Sequence, residues 1–469
     1  MNPADLVIVG GGPAGMAAAE AAAQIGASVV LIEEHLKPGG KVLSHGDVRF
    51  SGSCAEAIEE RTRCRMFRAF ERASNRITVH TGTQAWHIDD RREVFLQPVA
   101  AGTSPFSVRG RALVIAGGAM ERMIPFPGWT LPGVYSAGGL NALARKGILP
   151  GKRFLIAGTG PLQAALAIHL AKNGADIAAV ITPLSFTRIF AHLNDLISGI
   201  GLFKFITAVN YLFTLQRFRI PVYTSFTLLE ALGRDMLNKA VIARVDASGR
   251  PLPGSRRVLD VDAIGVGYGL IPGTDLTRLC GCRHDYDPKG KYWKVCCNSH
   301  QETSVSGVFA AGDGCAIRGY DAAMEEGRIA GIAACAHIGI VGRENAEALI
   351  RPCAARLKRM NRFGSAMDAL SLPGQGMISA IPDHTVVCRC EDVTMADVRT
   401  AVGSGAADIN DLKRRTRMGM GHCQGRFSGQ IIHDLMAHVS GTPAARECFT
   451  PRIPAKPILF KTLAQERGS

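Results

Sequence analysis

Aromatic residues are scarce in this chain of 469 residues: Phe, Tyr and Trp together make up 6%. Few planar side chains are left for stacking on bases, so the net charge of +14 does not by itself make a nucleic-acid binder. The basic runs Arg356/Lys358/Arg359/Arg362 and Lys413/Arg414/Arg415/Arg417 come with no recognised nucleic-acid module. They read as solvated faces or as a docking surface for an acidic protein. The start, MNPADLVIVG, lacks the basic region and small-residue cleavage site of a secretion signal. With 13 cysteines and no such signal, reduced thiols or metal ligands in a cytoplasm are expected. No C-x-x-C or C-x4-C occurs, which speaks against the redox disulfide of a flavin-linked disulfide reductase. Long apolar runs are missing too. Only residues 197–215 raise a membrane question, and Lys204 and Asn210 in their middle favour a buried helix pair, with peripheral membrane contact left open.

What is present is an α/β composition: 47% hydrophobic residues and 53 glycines, in a chain long enough for two to four domains. The organising stretch is DLVIVGGGPAGMAAAEAAAQIGASVVLIEE. Residues 6–9 read as a buried strand, 16–24 as an Ala-rich helix, and 28–32 as a second strand ending on Glu33. Gly10, Gly12 and Gly15 stand in the G-x-G-x-x-G spacing: a tight turn, a close approach to a pyrophosphate, and a helix set near the sheet. The helix N-terminus offers N–H groups and partial positive charge to phosphates, and Glu33 stands where it can accept from both ribose hydroxyls. Gly39 and Gly40 give another close backbone approach.

Further along, residues 54–73 read as a helix, 76–89 as one strand, 93–109 as a hairpin, and 111–118 as a buried strand ending in glycines. A second βαβ unit is expected from a strand at 153–157, the turn Gly158-Thr159-Gly160, a helix at 162–173 and a strand through Ile181. Its third glycine is replaced by Gln163, and its second strand ends on Thr182 and Pro183, with no acid for a ribose and no arginine for a 2′-phosphate. NAD(P)H is therefore not expected as the donor. From Asp262 the chain is expected to return to the first lobe, and residues 307–313 read as a strand ending in Gly312-Asp313. In FAD proteins of the glutathione-reductase type, the acid of that motif bonds a ribityl hydroxyl. A helix over 322–337 would then aim its N-terminus at the flavin. Residues 345–367 form a charged helical stretch, followed by a Gly/Pro/Ser-rich link at 371–382.

The C-terminal part changes character. Cys388 and Cys390 form C-x-C after an apolar run, a helix follows the cap Thr394, Cys423 lies in a glycine-rich turn, and 430–439 reads as a helix. Such thiols suit an iron–sulfur cluster or zinc. Ser428 stands where a fourth ligand is expected, and His422 and Cys448 are alternatives; a cluster-free fold held by packing is the competing reading. Of the other cysteines, Cys280, Cys282, Cys296 and Cys297 could gather at a second metal but read rather as packing groups.

The order GGGPAGMAAA, GGK, ALVIAGGAMERMIPFPGWTLPGV, AGTGPL, IGVGYGLIPGTDL, GVFAAGDG, AAMEEGRIAG, CRCEDVT and LKRRTRMGMGHCQGR covers nearly the whole chain. It resembles the FAD-binding α subunits of heteromeric bacterial opine and amino-acid oxidoreductases. The resemblance implies two Rossmann-like domains of the glutathione-reductase flavoprotein type plus a small α-helical C-terminal domain of the [2Fe-2S] type. It implies an FAD domain at 1–118 and 256–345, a degenerate NAD(P)-like domain at 119–255, a helical link at 346–382, the cluster domain at 383–440 and a tail at 441–469. Implied FAD positions are Gly10, Gly12, Pro13, Ala14, Gly15, Glu33, Glu34, Gly40, Lys41, Ala85, Ala116, Gly117, Gly312 and Asp313. Implied metal positions are Cys388, Cys390 and Cys423, with Ser428 departing from the pattern. No acid–base catalyst is assigned. The resemblance further implies substrate oxidation on a glycine-oxidase-like FAD β subunit, an FMN near the α/β interface, a small ferredoxin-like subunit, and a quinone or other acceptor. The expected location is cytoplasmic or peripheral at the inner membrane. Two rival readings are a stand-alone NAD(P)H-dependent reductase and a nucleotide-binding scaffold without catalysis.

Overall fold

The uninterrupted apolar run after Asp5 forms the centre of a seven-stranded sheet in a computed structural model describing residues 4–43, 54–100, 103–192, 194, 201–427, 429–441, 448–460 and 462. The strand Ala4–Val9 pairs in parallel with Val29–Ile32 on one side and Phe106–Ile115 on the other. Ile77–His80 extends the sheet beyond Val29–Ile32, and Val308–Ala310 joins in parallel on Phe106–Ile115. Two antiparallel strands, Glu93–Pro98 and Thr83–Ile88, complete it. The single strand expected over 76–89 is thus two strands in different parts of the sheet. Gly82, at φ +57°, turns the chain between them, a conformation that alternation of side chains does not reveal.

The helix Pro13–Ile25 starts three residues before the expected one, because Pro13 is pre-set for the first helical position. It lies against the helix Tyr320–His337 at backbone distance. A Cβ on Gly327 would stand 2.1 Å from the Ala14 carbonyl oxygen, and one on Gly331 would stand 2.4 Å from that of Ala18. Glycine four residues apart on one helix, facing alanine four apart on the other, gives this close seam.

A second, five-stranded sheet runs in the order Val222–Thr224, Asp176–Thr182, Arg153–Thr159, Ala263–Tyr268, Val134–Ser136, all parallel. Here the structure corrects an expectation. The strand Ala263–Tyr268 belongs to this sheet, so the return to the first lobe comes after residue 268 and not at 256 or 262. Leu270–Pro272 pairs with Ala119–Glu121 where the chain crosses back. The strand's glycines fit the second sheet: Leu140, Leu166 and Ile156 side chains close over Gly265. The helix Gly201–Arg217 is also not the buried pair expected. Leu215 is buried, whereas Leu212 and Phe213 are exposed, and residues 197–200 lie outside the described ones. Among the described residues no helix is long and apolar enough to cross a membrane.

The C-terminal part consists of a short ribbon, Val386–Cys388 with Val393–Thr394, and the helices Met395–Gly403, Ile409–Thr416 and Gly429–Ser440. Thr394 caps its helix through a reciprocal box with Asp397. This part shares one core with the second lobe: Val387, Met395, Leu412 and Leu435 continue the cluster of Trp129, Leu155, Val266 and Tyr268. The Trp129 indole N–H donates to the Val386 carbonyl at 2.6 Å.

Candidate functional site

At the C-terminal edge of the first sheet, the residues after Val9 make a crevice lined by backbone. Gly10 has φ +105°, and a Cβ there would come within 2.3 Å of the Ala116 carbonyl; a Cβ on Gly15 would lie 1.8 Å from the Gly10 carbonyl. Glycine is required at both. Gly12 is the N-cap of Pro13–Ile25 and supplies no side-chain cap, and a Cβ built on it meets only the Gly40 Cα, at 3.8 Å. The first turn of this helix therefore faces space that phosphate oxygens can enter. Gly40, at φ +62°, comes up to Gly12 from the other side, and Lys41 Nζ donates to the Ala119 carbonyl at 2.8 Å. Ala14 and Ala116 are buried walls of this crevice, whereas Ala85 is buried in the outermost antiparallel strand, Thr83–Ile88, opposite Leu96.

Glu33 lies at the end of the second strand with 4% of its surface exposed. Its Oε2 accepts from the Gly11 N–H at 2.7 Å, and its Oε1 accepts from the His35 N–H at 2.8 Å and lies 2.6 Å from His35 Nδ1. That bond raises the His35 pKa, against the effect of burial. A ribose hydroxyl would find the remaining lone-pair site of Oε2, fewer sites than the sequence position suggested. Glu34 is engaged by Lys456 of the tail. Burial works to raise its carboxyl, and the Lys456 and His35 charges hold it below its ordinary value.

Glycine at 117 has a local reason. A Cβ there would lie 2.9 Å from the Gly273 carbonyl, because the two crossings between the lobes pass backbone to backbone. The other expected motif, Gly312-Asp313, closes the same edge of the sheet. Gly312, at φ +78°, fits between Ala14 and Ala323, and Asp313 Oδ1 accepts from the N–H groups of Arg318 and Gly319 at 3.1 and 3.3 Å. Gly319 is the N-cap of Tyr320–His337 and provides no side-chain cap.

Sequence reasoning missed Glu326. It is 1% exposed, accepts from the Gly312 N–H at 2.8 Å and pairs with Arg318. Burial lifts its carboxyl to about 7, with Arg318 and the Gly312 N–H working against the rise. The signal was two adjacent acids, Glu325 and Glu326, in a helix otherwise rich in Ala and Gly. Glu325 forms ion pairs with Arg328 and Arg356 at 2.7 and 2.8 Å, tying that helix to Arg343–Ser371.

In the second lobe the turn after Arg153–Thr159 is packed differently. The Gln163 side chain is buried and donates to the Gly267 carbonyl at 2.8 Å, filling the space that a third glycine would leave. Between the first lobe and the C-terminal helices lies a cavity of about 50 Å³ lined by Arg278, Trp293, Arg426 and His433. It suits water-sized groups rather than a flavin. Trp293 Nε1 donates to His433 Nε2 at 2.9 Å, and burial depresses the His433 pKa to about 4.

Of the expected metal ligands, the Cys390 thiol neighbours those of Cys423 and Cys388. Cys388 and Cys423 are buried, Cys390 Sγ is 3.8 Å from His422 Nε2, and Gly421 leaves room for Cys390. Burial and the neighbouring Cys423 and Cys388 thiols raise Cys390 to about 11. Ser428 lies outside the described residues, and the half-buried Cys448 thiol neighbours Arg278. Among the described residues no group of three or more His, Cys, Asp or Glu is arranged to hold a metal ion. The donor set in view does not complete a site. Cys280, Cys282, Cys297 and Cys315 pack with the apolar core of the first lobe, Cys297 and Cys315 with sulfurs 4.0 Å apart.

Comparison with known proteins matches residues 4–327 to the pyridine nucleotide-disulphide oxidoreductase family and residues 383–467 to the sarcosine oxidase A3 domain. The chain is 32% identical to hydrogen cyanide synthase subunit HcnB of Pseudomonas protegens, covering 98% of this chain and 97% of that one. It is 32% identical to an opine oxidase subunit of Rhizobium meliloti, covering 98% of each. Among solved structures, L-proline dehydrogenase from P. horikoshii superposes with a TM-score of 0.67 at 18% identity, over 98% of this chain and 79% of that one. This last likeness shows the fold, including the C-terminal part.

Proposed function

Because the chain belongs to the pyridine nucleotide-disulphide oxidoreductase family, in the group of flavoenzyme subunits that holds HcnB and its opine oxidase counterpart, we propose that it is the electron-transferring α subunit of a heteromeric opine or amino-acid oxidoreductase. The observation that carries this reading is the first crevice. Its glycine turn, uncapped helix N-terminus, Glu33 and Gly312-Asp313 all lie along one sheet edge, and they fit FAD. Bound there, FAD would supply the redox chemistry. The chain's own residues bind and orient: the turn and helix N-terminus would take the pyrophosphate, Glu33 the ribose, Asp313 the ribityl chain. Glu326 would hold a proton beside that last motif.

C–N bond oxidation would take place on a glycine-oxidase-like β subunit with its own FAD. An FMN at the α/β interface would receive the electrons, and a ferredoxin-like subunit, a quinone or another acceptor would take them onward. The domain limits are proposed as two lobes that exchange after residue 268, a helical link and a C-terminal domain. A [2Fe-2S] cluster on Cys388, Cys390 and Cys423 is a second element of the reading, supported by the Cys390 thiol lying beside those of Cys423 and Cys388. A cytoplasmic location, or a peripheral one at the inner membrane, completes the proposal.

The test is a visible spectrum of the anaerobically purified chain, alone and with its partner, with iron and acid-labile sulfide assays. Flavin bands near ~370 and ~450 nm support the reading, and about two irons and two sulfides per chain add the cluster. Flavin without iron leaves transfer to flavins alone. Neither flavin nor iron overturns the redox reading in favour of a scaffold.

A further inference from the structure

The crevice of the second sheet is filled by the chain itself. Asp176–Thr182, Arg153–Thr159 and Ala263–Tyr268 are adjacent parallel strands. A dinucleotide in such a sheet lies across the C-terminal ends of the strands, against the glycine turn. Here the last turn of the helix Arg343–Ser371 lies across them. The Thr159 hydroxyl, from the glycine turn, donates to the Ser371 carbonyl at 2.8 Å. Arg188 Nη2, just beyond the neighbouring strand, donates to the Ala369 carbonyl at 2.7 Å. A Cβ on Gly160 would lie 3.7 Å from Ser371 Oγ, and one on Gly269, past the third strand, 3.1 Å from Ser371 Cβ. Leu370 is 5% exposed.

Anchors flank this turn on both sides. Asp368 Oδ2 accepts from the Tyr292 hydroxyl at 3.0 Å, and the Gly376 N–H donates to the Ser248 carbonyl at 2.8 Å. Gly374 and Gly249 pass at close backbone distance. The charge also has the wrong sign for a nucleotide. The C-terminal carbonyls of a helix present partial negative charge to a turn that would otherwise take a phosphate. The hydroxyl of Thr159 and the guanidinium of Arg188, the donors a phosphate would use, are directed to those carbonyls.

We propose that residues 369–371 are the donor-specificity determinant of this chain: they occupy the phosphate position of the second lobe and keep nicotinamide nucleotides out. The inference rests on the flavoprotein reading of the chain, to which it adds the part that sets where the electrons come from. Replacement of the ribose acid alone would weaken a nucleotide; occupation by the chain's own helix end removes its place.

The experiment is hydrogen–deuterium exchange on the flavin-loaded full chain, with and without NADH, NADPH or ADP-ribose at about 1 mM. Unchanged exchange over residues 158–163 with each nucleotide is expected, and slowed exchange there overturns the proposal. In the double variant Thr159→Val, Arg188→Ala, residues 369–376 are expected to exchange about tenfold faster at an unchanged flavin spectrum. Unchanged exchange there also overturns it. If no flavin is bound after purification, the flavoprotein reading fails, while the exchange result in the second lobe is read on its own.

Discussion

Gly327→Ala tests the seam that sets the first crevice. The added Cβ would stand 2.1 Å from the Ala14 carbonyl oxygen and 2.8 Å from its carbon. Ordinary contact is about 3.5 Å, so the two helices must part by roughly 1 Å. A gap of that size forfeits about a quarter to a half of the dispersion energy of the groups along it. Overpacking of this kind costs about 1–3 kcal/mol, and the obstacle is backbone, which cannot swing away. Alanine gives back about 1 kcal/mol of helix propensity. The expected net loss is about 1 kcal/mol, rising to about 2 kcal/mol at the upper end of that cost. Gly403→Ala is the matched control, because nothing lies within 4 Å of a Cβ built there. It is expected to be neutral or to stabilise by up to about 1 kcal/mol. The assay is the urea midpoint of the flavin-loaded chain followed by flavin release, with bound FAD measured beforehand. Ala14 opens the helix that faces the pyrophosphate position, so Gly327→Ala is also expected to lower FAD content. A midpoint for Gly327→Ala equal to or above that of Gly403→Ala would refute the backbone contact.

Glu326→Gln should alter the pH dependence of stability. A carboxyl raised by burial from 4.5 to about 7 contributes stability that is present below pH 4.5 and lost as pH rises through 7. The advantage of wild type over Glu326→Gln should therefore shrink by about 3 kcal/mol between those limits, read from unfolding midpoints at each pH. A constant difference would mean that Glu326 is not the group that titrates. Gly117→Thr brings a Cβ to 2.9 Å from the Gly273 carbonyl. A loss of about 1–3 kcal/mol and lower FAD content are expected, and full FAD retention at wild-type stability would count against the close crossing. Thr394→Ala removes one half of the capping box and should cost about 1 kcal/mol, seen as faster amide exchange over residues 395–403, whereas Thr394→Ser should keep most of it.

The glycine turn, Glu33, the Gly312-Asp313 motif and the Thr394 cap were legible because each depends on residue type at short spacing. A turn at φ +105° demands glycine, a phosphate crevice demands a bare helix N-terminus, and a cap demands a short hydroxyl. The sequence by itself therefore determined where the first glycine-lined crevice is made and the turn and helix end that line it. It did not determine which sheet the strand Ala263–Tyr268 joins, because a strand buried on both faces carries no mark of its neighbours. The reading of 76–89 as one strand failed for a related reason: alternation continues through a tight turn that only a change of partner exposes. The seam of Gly327 and Gly331, the burial of Glu326 and the completeness of the cysteine site each depend on groups far apart in the chain. The second lobe shows the division most clearly. Its altered motif was visible at Gln163 and Thr182, but only the tertiary structure brings the carbonyls of Ala369 and Ser371 onto Arg188 and Thr159. Those contacts span about two hundred residues, and no local pattern encodes a partner at that distance.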